Sequence, residues 1–238
     1  MSTLETKVIE SGYGERPFTD AQITAVLNCS DASRYGLVNR ALKAGSLIRI
    51  KRGLYLLGTT WSRHGQEQTN VHPFAIAQAL KHGSYISFET ALSYHGWIPE
   101  AVYQTASVTP DRKTLRYETP KWGNFEFLPL AVNDYQFLVS VRRIKFGQTT
   151  ALVASPLRAL MDLVASRKTS WEGIDWITQG MRVDRQHLQT VSAEDFDQLE
   201  PVYKHRAAQD FLASLRASVL PLTSHRLADT KPNSRKRA

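Results

Sequence analysis

The stretch from Phe18 to Leu57 constrains the chain most, because its pattern of caps, apolar stripes and turn residues admits few folds. Phe18-Thr19-Asp20-Ala21-Gln22 reads as a helix start: Thr19 is the N-cap, Gln22 three residues on completes a capping box, and Phe18 stands where a staple residue would. Ile23, Val26 and Leu27 form the buried stripe of that helix, and Ser30 caps the next. In this second helix Leu37, Val38, Ala41 and Leu42 recur at helical spacing, and Gly45 stands where a left-handed residue closes it. LIRIKRGLYLL follows: Ile48 and Ile50 alternate with Arg49 and Lys51, Arg52-Gly53 supplies a two-residue turn, and a return strand runs through Tyr55. With a short opening helix at about 3–10, the order is three helices and a hairpin, a winged helix-turn-helix.

Charge is distributed to match. The whole chain carries 30 Lys and Arg against 22 Asp and Glu, a net +8, which suits a polyanionic partner without requiring one. Placement says more. Between Ser30 and Gly58 six basic residues (Arg34, Arg40, Lys43, Arg49, Lys51, Arg52) face one acid, Asp31. With the apolar stripe of the second helix turned inward, Ser33, Arg34, Gly36, Asn39, Arg40 and Lys43 fall outward or on the flank. Arginine pairs bidentately with guanine and asparagine with adenine, while Ser33 and Lys43 suit phosphates. The turn Lys51-Arg52-Gly53 is narrow and doubly cationic, suited to a minor groove or a flanking phosphate. Ser33, Arg34, Asn39, Arg40, Lys43, Arg49, Lys51 and Arg52 are therefore the expected contacts to double-stranded DNA. Six neutralised phosphates correspond to a log–log salt slope of about −5.

The rest of the chain reads as a larger α+β unit. The winged helix is assigned to 1–60, a polar linker to 61–72, an α+β domain with a mixed or antiparallel sheet to 73–222, and a basic, aromatic-free, disordered tail to 223–238. A helix follows Pro73; a short strand and a helix capped near Ser87 come next; a strand-rich stretch leads to Pro156, which opens a helix with Leu157, Leu160, Met161 and Val164 inward. Two helices, near 194–200 and 202–217, close the domain. Arg112, Lys113, Arg116, Arg142, Arg143 and Lys145 form a second candidate basic surface if antiparallel strands bring the two clusters onto one face, against the simpler reading of a charged, protected strand edge.

Enzymatic readings find little support. A restriction-type nuclease needs an Asp and a Glu-x-Lys on adjacent strands, but Glu126 is followed by Phe127 and Leu128. Ser87, Glu89 and His95 are close in sequence yet diverge on one helix, with His95-Gly96 better read as a helix end. Neither a phosphate-binding glycine loop nor a metal-ligand spacing occurs, and the single Cys29 fits a small residue in the turn between helices. No catalytic residue, cofactor or metal is expected. Trp97, Tyr103, Trp122 and Tyr135 are candidates to stack bases, the alternative of an RNA-binding regulator. Neither a membrane span nor a signal pattern is read, so a cytoplasmic location is expected.

Three segments in this order, ALKAGSLIRIKRGLY, YISFETALSYHG (85–96) and VASPLRALMDLV (153–164), resemble the AbiEi-type antitoxins of bacterial type IV toxin–antitoxin systems. The resemblance covers most of 18–220. It implies a winged helix that represses its own operon at promoter inverted repeats, and a C-terminal domain that counteracts a nucleotidyltransferase-like toxin, not necessarily by direct contact. Carried over, the DNA role falls on Arg34, Arg40, Lys43, Arg49, Lys51 and Arg52.

Overall fold

The computed structural model describes residues 3–58 and 71–228. Helix α1 (Thr3–Glu10) precedes a short strand β1 (Phe18–Thr19), α2 (Asp20–Leu27), α3 (Asp31–Lys43) and the hairpin β2 (Leu47–Lys51) and β3 (Leu54–Leu57). The capping box forms as expected: Gln22 N–H donates to Thr19 Oγ1, and Thr19 N–H donates to Gln22 Oε1 at 2.7 Å. Asn28, left-handed at φ 48°, stops α2, and Ser30 Oγ accepts from Ser33 N–H to start α3. Phe18 shares a buried cluster with Ile23, the residue a staple would meet, and it also extends the hairpin, pairing with Tyr55 in a three-stranded sheet of order β1-β3-β2. At Gly58 a Cβ would lie 1.9 Å from the Gly45 carbonyl oxygen, so the chain can leave the sheet at this point only as glycine.

The hairpin has two apolar faces. Leu47, Tyr55 and Leu57 pack with Leu4, Val8, Phe18, Ile23, Val38 and Ala41, whereas Ile50, Leu54 and Leu56 join the core of the following unit. All four residues of β3 are buried. The sequence mark of this is the unbroken run Leu54-Tyr55-Leu56-Leu57, where a strand with one solvated face would alternate. The wing is therefore a sheet held between two cores.

The second unit begins with α4 (Pro73–Leu80), capped by His72 Nδ1, which accepts from Phe74 N–H. Then come β4 (Tyr85–Ile86), α5 (Phe88–Tyr94), β5 (Gln104–Thr109), β6 (Leu115–Thr119), β7 (Gly123–Pro129), β8 (Val141–Phe146), β9 (Thr149–Ala154) and α6 (Pro156–Arg167). A π-helical turn (Trp176–Gly180), α7 (Arg185–Leu188), α8 (Ala193–Leu199) and α9 (Arg206–Ala228) follow. The six strands lie in the order β6-β7-β5-β4-β9-β8, with β5/β7 and β4/β9 parallel and the other pairs antiparallel. The sheet is mixed, and the fold as a whole is α+β. Of the expected linker only Val71 and His72 fall within the described residues; of the expected tail, residues up to Ala228 do, and they continue α9 past Thr223.

A buried ion pair ties this unit together. Arg158 and Asp162, one turn apart on α6, are both fully buried. Asp162 accepts from Arg158 Nε (2.8 Å), Ser87 Oγ (2.7 Å), Tyr203 Oη (2.8 Å) and Tyr85 Oη (3.0 Å). The Arg158 guanidinium also donates to Tyr85 Oη and to the carbonyls of Gln136, Phe137 and Val139. Ser87 spends its hydroxyl here and makes no side-chain cap for α5. Burial, and then the charge of Asp162, push the Tyr85 and Tyr203 phenols well above their usual range. Burial opposes the charge on Arg158, but Asp162 and the tyrosines outweigh it and hold the guanidinium above its ordinary value. Helical periodicity marks the apolar partners on α6 but not these two, because charged residues read as solvated until their partners, up to 77 residues away, are in place.

Candidate nucleic-acid interface

Helix α3 presents one stripe to solvent. Its axis lies against α2 and β2 through Val38 and Ala41, leaving Ala32, Ser33, Tyr35, Arg40 and Lys43 exposed, with Gly36 and Asn39 partly so. The Arg40 guanidinium lies back over Gly36, close enough that a Cβ there would meet Nη1 at 3.4 Å. Tyr35 is 70% exposed and stands one turn from Asn39. Sequence reading passed over it, since a lone aromatic on a helix is ordinarily core; its outward place shows only once the buried stripe is fixed. Arg49 pairs across the hairpin with Tyr55, which puts it on the sheet face that carries the helices, and Arg52 is exposed at the turn beside Gly53 (φ 76°). Arg40, Lys43, Arg49 and Arg52 take part in no ion pair among the described residues.

Two expected contacts are otherwise engaged. Arg34 turns toward α2, 3.5 Å from Asp31, 3.9 Å from Asp20 and bonded to Thr24 Oγ1, so it fastens the two helices to each other. Asp20 also touches the wing: its N–H donates to the Gly53 carbonyl, and after burial its charge is the next cause raising the Tyr55 phenol. Lys51, expected at a free wing tip, bends into the second unit, donates from Nζ to the Leu80 carbonyl at 2.7 Å and sits 5.1 Å over the Tyr117 ring. The wing thus has one outward cation at its turn, Arg52. The second face of the hairpin is spent on packing.

Residues 13–58 match the family model described as a transcriptional regulator, AbiEi antitoxin.

The match takes in β1, the helix-turn-helix and the whole wing, which bears out the resemblance over those residues. The AbiEi-type segment is fewer than half of the chain, and the motifs at 85–96 and 153–164 fall outside it. The chain as a whole is similar in fold to the crystal structure of the RV2827C protein from Mycobacterium tuberculosis, with a TM-score of 0.58 and 14% identity over 99% of this chain and 84% of that one. No curated protein matches the sequence.

Beyond the AbiEi-type segment the six basic residues of the second set do not come together. Arg116 lies on β6 and Arg142, Arg143 and Lys145 on β8, the two opposite edges of the six-stranded sheet, with Arg112 and Lys113 in the turn before β6. Four strands separate the clusters, about 24 Å at the usual spacing. The expectation of one face fails because the parallel β5/β7 and β4/β9 pairs send the hairpins to opposite sides. Arg116 is bonded to Glu126, which also accepts from Gln104, so the carboxylate weighed for a nuclease serves strand pairing. The four aromatics considered as a stacking platform are likewise dispersed. Trp97 is buried and stacked on His187, Trp122 is half-buried, Tyr103 precedes β5 and Tyr135 follows β7, at opposite ends of parallel strands. His95 donates from Nε2 to the Ala154 carbonyl at 2.9 Å, tying the end of α5 to β9, and burial lowers its pKa. Among the described residues no group of His, Cys, Asp and Glu could hold a metal ion, and no helix is long and apolar enough to cross a membrane.

Proposed function

We propose that this chain is a cytoplasmic DNA-binding antitoxin that represses its own operon, with α3 seated in the major groove and the wing beside it. The single observation that carries the reading is the unpartnered stripe of Tyr35, Asn39, Arg40 and Lys43 on a helix whose opposite face is locked into a capped helix-turn-helix. A recognition helix needs that division between a buried and a donor-bearing face. Asn39 and Arg40 are the base readers; Ser33, Lys43, Arg49 and Arg52 bind phosphate. Gly36 allows close approach to the duplex. Arg34 and Lys51 support the assembly instead. The match of residues 13–58 to AbiEi antitoxin regulators supports both the repressor and the antitoxin parts of the reading.

Fluorescence polarisation against the duplex upstream of its own gene tests the repressor part; absence of binding at low salt overturns it. Arg40→Ala is expected to weaken binding by about 1–3 kcal/mol and relax one base preference, whereas Lys43→Ala weakens it alike on operator and random sequence. The antitoxin part, neutralisation of a nucleotidyltransferase-like toxin through the second unit, is tested by co-expression with the toxin gene next to its own. Growth must recover with the full chain.

A further inference from the structure

The second unit holds an open cleft of about 730 Å³ beyond the carboxyl ends of the parallel strands β5 and β7, bounded by Thr109 and Pro129, the end of α6 and the start of α9. The volume is within the range of small-molecule sites. Its charge is positive. Arg112, Lys168, Lys204 and His205 line it, and of the two lining carboxylates Asp111 is paired with Lys81 at 2.7 Å and Asp134 with Lys204 at 3.5 Å. Arg112 and Lys168 are exposed and in no ion pair among the described residues. No acidic residue stands in the first turn of the 23-residue helix α9, so its amino end adds to the positive field.

Over this cleft stands Tyr135, 100% exposed and with φ at 64°, a conformation an aromatic residue seldom adopts. The loop that presents it is clamped from both sides. Asn133 bonds to the carbonyls of Pro201 and Val202, and Arg158 reaches out of the core to the carbonyls of Gln136, Phe137 and Val139. Burying a charge pair costs several kcal/mol per ion before its attractions are counted. Here Arg158 and Asp162 fix the wall of the cleft through those carbonyls and through Tyr203, which itself lines it. The motifs at 85–96 and 153–164, which the DNA-binding segment leaves unexplained, meet in this support.

We propose that the cleft binds a nucleotide, its phosphates on Arg112, Lys168 and His205 and its base stacked on Tyr135. Two unpaired cations and one outward aromatic around an open cleft are the complement of a phosphate-bearing, flat, apolar-faced ligand. The nucleotide is either free or the 5′-phosphorylated end of a single strand of RNA.

Isothermal titration calorimetry of the full chain with ATP, with UTP, with a 5′-phosphorylated RNA pentanucleotide and with inorganic tripolyphosphate tests this. Saturable binding of a mononucleotide assigns the free ligand, and binding of the pentanucleotide alone assigns the strand end. Either is expected to weaken about tenfold in Tyr135→Ala and about 100-fold in Arg112→Ala/Lys168→Ala, given the usual strength of one stacked base and two charge-assisted contacts. These side chains are exposed, so the variants should melt like the parent, and Tyr135→Ala should keep its affinity for the upstream duplex, which separates this result from the repressor reading. Absence of heat with every probe at millimolar concentration overturns the proposal. So does tripolyphosphate binding as tightly as ATP with Tyr135→Ala unchanged, since that describes only an anion patch.

Discussion

At the residue scale, a cation's partner decides its use more than its position in the sequence does. Arg34, Arg40 and Lys51 all belong to the basic run of the winged helix, yet Arg34 fastens helices, Lys51 fastens the wing to Leu80, and Arg40 has solvent before it. Lys51→Met, which keeps the aliphatic stem but removes the donor, is expected to lower stability by about 1–3 kcal/mol in a denaturant titration, the worth of a charged hydrogen bond. Its duplex affinity should stay within about twofold of the parent. Asp162→Ala leaves Arg158 charged and unpaired in the core and should cost about 3–5 kcal/mol, while the paired change Arg158→Met/Asp162→Leu should cost less than the two single losses combined. A strictly additive result would show that the two residues do not act as a pair. Both His72 and His95 have pKa values lowered by burial, so the unfolded chain holds more protons than the folded one in mildly acid solution. Stability is therefore complete above the unfolded histidine value of about 6.5 and declines as pH falls through it toward the lower folded values. The melting temperature should drop between about pH 7.5 and about pH 5.5, and less so in His72→Asn, which keeps a cap acceptor for Phe74 N–H without the titration.

At the element scale, local signals were strongest where a few neighbouring residues settle the geometry. The Thr19–Gln22 box, the Ser30 cap, the left-handed Gly45 and the two-residue turn before Leu54 follow from short-range hydrogen bonding and φ preference, and each is legible in a window of a few residues. Thr19→Ala should cost about 1 kcal/mol, seen as a shift of the denaturation midpoint without a change in slope. The place of Phe18 before the Thr19 cap is legible locally, but its strand pairing is not, because the partner, Tyr55, lies far along the chain. Of the two readings of the basic clusters, edge strands fit and one shared face does not, because strand order in a mixed sheet is set by crossovers that no local pattern records.

At the scale of the whole molecule, the wing belongs to two cores at once, so the winged helix is packed against the larger unit. Arg16 Nε bonded to the Gln148 carbonyl, Lys51 on Leu80, and Ile50, Leu54 and Leu56 in the larger core fix one orientation. With Arg34 and Lys51 withdrawn and Arg40 assigned to a base, three phosphate-binding cations remain, and the salt dependence of duplex binding should have a log–log slope of about −3 per protomer, in place of about −5. A measured slope at or beyond the steeper value would return Arg34 and Lys51 to the DNA surface.

The helix-turn-helix, its caps, its hairpin and the concentration of positive charge are legible in the chain alone, because they rest on contacts between near neighbours and on a helical period. Tertiary structure alone decided which cations are free, that β3 is buried on both faces, that Arg158 and Asp162 meet Tyr85, Ser87 and Tyr203, and that Tyr135 stands over a basic cleft. Each of these depends on groups far apart in the chain. A charged side chain is cheap in water and costly in a core, so its meaning changes with surroundings that only the folded chain supplies.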